Sequence, residues 1–189
     1  VERETYRLPD PFLVVATQNP VELEGTFPLP EAQLDRFAMR VRIGYPSPED
    51  EAAVVRRFLA GDPLVELEPV TSPTELSAAI AETRRVFLGQ ATLDYLVALV
   101  RRTRERDEVE LGASPRATLA LARAAQARAL LDGRGFVLPD DVQAVAVPVL
   151  AHRLALAPRA TLHGTTAESV VRAVLAEVPV PVEELVEGA

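Results

Sequence analysis

The stretch Pro11-Phe12-Leu13-Val14-Val15-Ala16-Thr17-Gln18-Asn19-Pro20 decides the character of the first part of the chain. An apolar run from Pro11 to Thr17 that does not alternate with polar residues is the pattern of a parallel-sheet strand covered on both faces. Such a strand implies neighbours. Met39, Val41 and Ile43 alternate with Arg40 and Arg42 and give a second strand at period 2, and between the two Pro30 opens a short helix from Glu31 to about Phe37. Strand, loop, short helix and strand are too few elements to close a doubly covered sheet. Residues 1–44 are therefore expected to be the C-terminal part of an α/β core whose other strands lie outside this sequence.

After Gly44-Tyr45-Pro46 the chain turns to Ala, Leu, Arg and Glu, and residues 45–178 are expected to form an all-helical domain. Ser47-Pro48-Glu49-Asp50 and Ser72-Pro73-Thr74-Glu75 each supply a hydroxyl N-cap, Pro at N1 and an acid at N3. Helices of about 12 to 15 residues should follow. Val54/Phe58 and Val55/Leu59 in the first, Leu76, Ile80, Thr83 and Phe87 in the second, and Leu93, Leu96, Val97 and Val100 in a third predict one buried face each. Residues 61–71 read as a loop. A fourth helix is expected from Ser114-Pro115 to about Leu131, and a fifth from Pro139 that Pro148 should break or kink before His152. A sixth should span about Ala167 to Glu177 behind Thr166, leaving 179–189 as a Pro- and Glu-rich tail. The fold class is thus an α/β remnant followed by an all-α domain, mostly α overall.

The 189 residues suffice for one ordinary domain or two small ones, with 48% apolar content for a core. All 20 basic residues are Arg against 28 acids, for a net charge of −8. With no lysine, neither Schiff-base chemistry nor a GxxxxGK[ST] phosphate loop can be completed within these residues. Zero Cys excludes disulfides and thiolate chemistry, and His152 and His163 cannot build a zinc site unaided. No apolar run approaches the roughly 20 residues of a membrane span, and a cytoplasmic location is expected. The acidic balance argues against nucleic acid as a partner, so Arg84-Arg85, Arg101-Arg102 and Arg104-Glu105-Arg106 read as solvated helix faces. The chain opens on Val1 and its one Met is Met39, which reads as an excerpt of something longer.

Three side chains stand out. Asn19 sits at the carboxyl end of the apolar run, the edge of a parallel sheet where ligands bind; it serves either a turn before Pro20 or a phosphate oxygen or water. In Ala32-Gln33-Leu34-Asp35-Arg36-Phe37, Leu34 and Phe37 share the buried side and Arg36 projects to solvent. It is either an ordinary surface arginine or partner of Asp35, or a guanidinium that completes a phosphate site on a neighbouring subunit. In Gly112-Ala113-Ser114-Pro115-Arg116, Arg116 falls at N2, where a cation is unfavourable unless it joins free backbone N–H groups in binding an anion. The alternative is a salt bridge to an acidic neighbour such as Glu108 or Glu110. His152 reads as a core or boundary histidine, and Asp140-Asp141 as helix-start residues.

Taken together, Ala16-Thr17-Gln18-Asn19-Pro20, Pro28-Leu29-Pro30-Glu31-Ala32-Gln33-Leu34-Asp35-Arg36-Phe37 and Gly112-Ala113-Ser114-Pro115-Arg116-Ala117 closely resemble the MoxR family of AAA+ ATPases. The likeness runs from about Tyr6 through Val149-Leu150-Ala151-His152-Arg153-Leu154. The resemblance implies that Asn19 is sensor 1, Arg36 the arginine finger and Arg116 sensor 2, and that residues from about Pro46 are the helical lid. It implies ATP and Mg²⁺ as cofactors of the intact protein, held on a P-loop and an acidic strand that these residues do not include. Asn19 would orient the attacking water, Arg116 would tie the lid to the γ-phosphate, and Arg36 would reach the neighbouring subunit's site in a ring, expected to be a hexamer. It further implies chaperone-like remodelling of partner complexes, often with a von Willebrand factor A-domain protein, and no turnover by this chain alone. A magnesium-chelatase-like subunit and a non-catalytic helical interaction module are the competing readings.

Overall fold

The computed structural model describes residues 5–18 and 30–181; Asn19, Pro20 and the tail beyond residue 181 lie outside the described residues. The chain divides into two compact units, one of residues 1–14 and 41–79, the other of residues 15–40 and 80–189.

In the first unit, helix α2 (Pro48–Ala60) starts where its capping signal places it, with the Ser47 hydroxyl accepting from the Asp50 amide at 3.2 Å. Helix α3 (Pro73–Thr83), of which residues 80–83 belong to the second unit, follows a reciprocal box. The Ser72 hydroxyl accepts from the Glu75 amide at 3.2 Å, and the Glu75 carboxylate accepts from the Ser72 amide at 2.8 Å. That amide and the hydroxyls of Ser72 and Thr71 hold the Glu75 carboxyl below its ordinary range. Local chemistry is therefore enough to start both helices. The expected buried faces are not realised, because neither helix has a buried residue and Val54, Val55, Phe58 and Leu59 are exposed.

The two expected strands are also corrected. Residues 11–18 and 39–43 join no ladder, and Phe12 to Val15, Val41 and Ile43 are exposed. A strand is a half-structure whose N–H and C=O groups need a partner alongside, and no described residue provides one here. The sheet that is present lies elsewhere. Strand β1 (Val109–Leu111) pairs antiparallel with β2 (Ala155–Leu156), neither of which the sequence signals announce.

The second unit carries the core. Helix α4 (Gln90–Arg102) buries Thr92, Tyr95, Leu96, Leu99 and Val100, so the expected stripe is right at Leu96 and Val100 but rotated by about one position, leaving Leu93 and Val97 at its margin. Helix α5 (Pro115–Leu131) buries Ala117, Leu121, Ala125 and Ala129, a row at i+4 spacing. Against it lies helix α6 (Pro139–Leu150), which buries Val142, Ala146, Val149 and Leu150. Between them the chain turns at Gly133, whose φ of +75° suits glycine. Gly133 N–H donates to Leu130 at 2.9 Å and Arg134 N–H to Ala129 at 2.8 Å, closing a Schellman end on α5. Arg134 then reaches the buried Asp141 carboxylate through both terminal nitrogens, at 2.6 and 2.5 Å. That pairing and the Leu138 amide hold Asp141 ionised and below its usual range.

Pro148 does not end α6, which runs to Leu150 and tightens into a 3₁₀ turn over Ala151–Arg153. Helix α7 (Pro158–Leu162) is short. Helix α8 (Ala167–Glu177) begins behind a Thr166–Ser169 box and packs Val171 and Val174 into the core. Its end is tied to the end of α4, where Arg102 and Arg106 both pair with Glu177.

Candidate functional site

The short helix α1 (Glu31–Leu34) ends sooner than expected and continues as turns, with Arg36 N–H donating to Gln33 and Phe37 N–H to Leu34, both at 3.1 Å. It has no buried residue. What holds this segment to the rest of its unit is polar. Asp35 is the hub, accepting from the Ser114 hydroxyl at 3.1 and 3.2 Å and from Arg153 Nε at 3.1 Å, with Arg116 Nη1 at 3.6 Å. Arg116 thus does rest on an acidic neighbour, but on Asp35 rather than Glu108 or Glu110; Glu108 pairs with Arg106 at 2.8 Å. Arg36 itself is exposed and makes no ion pair among the described residues, and Asp35 turns to the two other arginines.

The start of α5 is held from beneath. Ser114 stands at the N-cap but its side chain makes no cap bond, its hydroxyl being given to Asp35. Gly112 allows the loop before it to close on the 3₁₀ turn Thr103–Glu105, because a Cβ at 112 would lie 2.7 Å from Arg104 Cα. The Thr103 hydroxyl accepts from the Ala113 amide at 3.1 Å, and Arg104 Nε donates to the Ala113 carbonyl at 2.8 Å. Arg116 therefore projects from a fixed helix start.

Arg36 and Arg116 meet in one surface depression of about 440 Å³, floored by Ala38, Met39, Leu119 and Ala120 and further lined by Arg123 and Arg153. Among the described residues no carboxylate lines it, Asp35 standing at its edge through Arg116 and Arg153. Guanidinium forks around an open concavity suit a polyphosphate, since each presents planar N–H pairs to two oxygens of a tetrahedral group. Magnesium is another matter. Among the described residues no group of three or more His, Cys, Asp or Glu could hold a metal ion, so no step is assigned to a metal here.

Behind the depression, Arg153 has a side chain only 2% exposed. It donates to the carbonyls of Ala38 at 3.2 Å, Asp35 at 3.4 Å, Phe37 and Val149. Burial pushes its guanidinium below the usual range while Asp35 opposes that shift. His152 beside it shares the Phe37 carbonyl through Nε2 at 3.2 Å. Burial first, then the charges of Arg153 and Arg40, push His152 below its ordinary value, against the carbonyl contacts with Phe37 and Pro148. The candidate residues read from sequence did not include Arg153. A signal was there: a cation directly after a helix end, where free carbonyls collect.

Two families describe parts of the chain: the ATPase family associated with various cellular activities (AAA) over residues 1–39, and the AAA lid domain over residues 101–174. Chaperone MoxR1 of Mycobacterium tuberculosis is 40% identical across 94% of this chain and 49% of its own length. The uncharacterized protein YeaC of Bacillus subtilis is 45% identical, with 97% and 57% covered, and Protein MoxR of Methylorubrum extorquens is 33% identical, with 93% and 57% covered. A crystal structure from Cytophaga hutchinsonii, provisionally assigned as an ATPase, superposes with a TM-score of 0.87 at 35% identity over 95% of this chain and 57% of that one. The chain spans about half the length of the curated relatives it matches.

Proposed function

Because this chain belongs to the MoxR-type AAA+ ATPases, we propose that it supplies the phosphate-sensing arginines and the helical lid of a ring ATPase. Its cofactors would be ATP and Mg²⁺, and its work the chaperone-like remodelling of partner proteins. The observation that carries this reading is the convergence of Arg36 and Arg116 on one depression with Asp35 between their segments. Two guanidinium groups in one concavity serve one anion more readily than two. Arg36 as a finger reaches a neighbouring subunit's nucleotide, so Arg116 is proposed to act on that same triphosphate rather than on its own subunit's.

Before nucleotide arrives, Arg116 rests on Asp35 at 3.6 Å, a separation that leaves a weak, half-solvated pair easily exchanged for a phosphate oxygen. When the γ-phosphoryl group departs, charge grows on its equatorial oxygens, and two fixed cations stabilise that state more than the ground state. Asn19, beyond the described residues, is proposed to orient the attacking water. A hexameric ring, a von Willebrand factor A-domain partner, a cytoplasmic site of action and the division at residues 44 and 178 belong to the same proposal, as does the absence of turnover by this chain alone.

The test is made on the full-length protein. Arg36→Ala is expected to lower kcat by about 10³-fold or more with ATP binding retained. Arg116→Ala is expected to weaken ATP binding or its coupling to the lid. Normal kcat in Arg36→Ala rejects the finger, and unchanged Kd and kcat in Arg116→Ala return that residue to a structural partner of Asp35.

A further inference from the structure

We propose that Arg153 is a positioning residue for Arg36: from the lid side it grips the backbone on both flanks of the finger and fixes where its guanidinium can reach. This rests on the reading of Arg36 as the catalytic guanidinium. The grip is unusually complete. Arg153 bonds the carboxylate of Asp35 and the carbonyls of Asp35, Phe37 and Ala38, while its own turn is anchored by a bond to Val149. Next to it His152 meets the Phe37 carbonyl at 3.2 Å, and the Arg40 amide donates to the Pro148 carbonyl at 2.8 Å. The bonds that cross to this segment fall on residues 35, 37, 38 and 40, while the Arg36 side chain is exposed and makes no ion pair among the described residues.

Stability alone does not explain the arrangement. A buried cation is costly to desolvate, and an apolar side chain of similar volume often stabilises as well or better. What an apolar side chain cannot do is set direction. Helix α1 has no fully buried residue and Leu34 and Phe37 are only half-buried, so packing alone places the segment loosely, and a planar fork with five fixed donors sets its direction. Lysine could not substitute, because its three donors leave one nitrogen and cannot reach the Asp35 carboxylate and the carbonyls of Asp35, Phe37 and Ala38 together. A misplacement near 1 Å at a reacting group costs on the order of 10²-fold in rate.

The experiment compares Arg153→Lys and Arg153→Gln with Arg36→Ala in the full-length ring, with assembly checked for each. Both Arg153 variants are expected to lose about 10-fold to 10²-fold in kcat with KM for ATP within about twofold. The double variant Arg36→Ala/Arg153→Gln should be no slower than Arg36→Ala alone, since a residue acting through Arg36 has nothing left to position. An assembled Arg153→Lys ring with normal kcat overturns the proposal, as does a double variant slower by the product of the two single effects. Normal kcat in Arg36→Ala would sink the finger reading and this one with it. An inactive Arg36→Ala beside a normal Arg153→Lys sinks the positioning role alone.

Discussion

Asp35 serves three masters in this molecule: the Ser114 hydroxyl, the buried Arg153 and the exposed Arg116. Sequence adjacency suggests Arg36 as its partner, because opposite charges side by side often pair on a surface. The fold assigns it otherwise, since adjacent residues at a helix end point apart while Arg153, 118 positions away, lies beneath it. Long-range pairing of that kind carries no sequence period, which is why Arg116 was legible as an anion-site candidate and Arg153 was not. His152 offers a check on the same cluster. Its folded pKa is depressed, so the unfolded chain takes up a proton first, and its contribution to stability is fully present above the ordinary value near 6.5 and lost as pH falls below it. The melting temperature of the chain is expected to drop between pH 7.5 and 5.5, and the drop to shrink in His152→Gln. An equal drop in the variant would show that other groups govern that range.

Among the elements, helix starts were the most readable feature. Ser47-Pro48, Ser72-Pro73, Ser114-Pro115 and Thr166 each stand directly before the helix they announce, because capping is local chemistry complete within four residues. Strands were the least readable, because residues 11–17 supply only one side of a ladder. Strands β1 and β2 are too short to show a period and exist through their pairing across the unit. Pro148, expected to break or kink the helix before His152, is followed by two more residues of α6 and then by the 3₁₀ turn Ala151–Arg153, and its carbonyl accepts from the Arg40 amide. Two substitutions probe this level. Gly112→Ala forces a Cβ against Arg104 backbone and is expected to cost about 1–3 kcal/mol while disturbing the start of α5. Wild-type stability and nucleotide affinity in that variant would mean the close approach is not needed. Leu121→Ala, fully buried on α5, should cost about 2–5 kcal/mol in chemical denaturation, and a loss under 1 kcal/mol would contradict the α5–α6 core.

For the whole molecule, one unit buries a continuous core and the other does not. The helices after residue 45 are legible from periodicity and capping, whereas residues 11–18 and 39–43, read as strands, are extended and unpaired among the described residues. No described helix is long and apolar enough to cross a membrane. The functional claim at this scale is that Arg36 and Arg116, fixed through Asp35 and Arg153 to one unit, address a single triphosphate in the assembled protein. The most direct test is a structure of the full-length assembly with Mg²⁺ and a non-hydrolysable ATP analogue. Both guanidinium groups are expected within hydrogen-bond reach of phosphate oxygens of the same nucleotide, bound by the adjacent subunit, with Arg116 moved off Asp35. Arg36 and Arg116 on different nucleotides, or Arg116 still resting on Asp35 with the phosphates elsewhere, would contradict it.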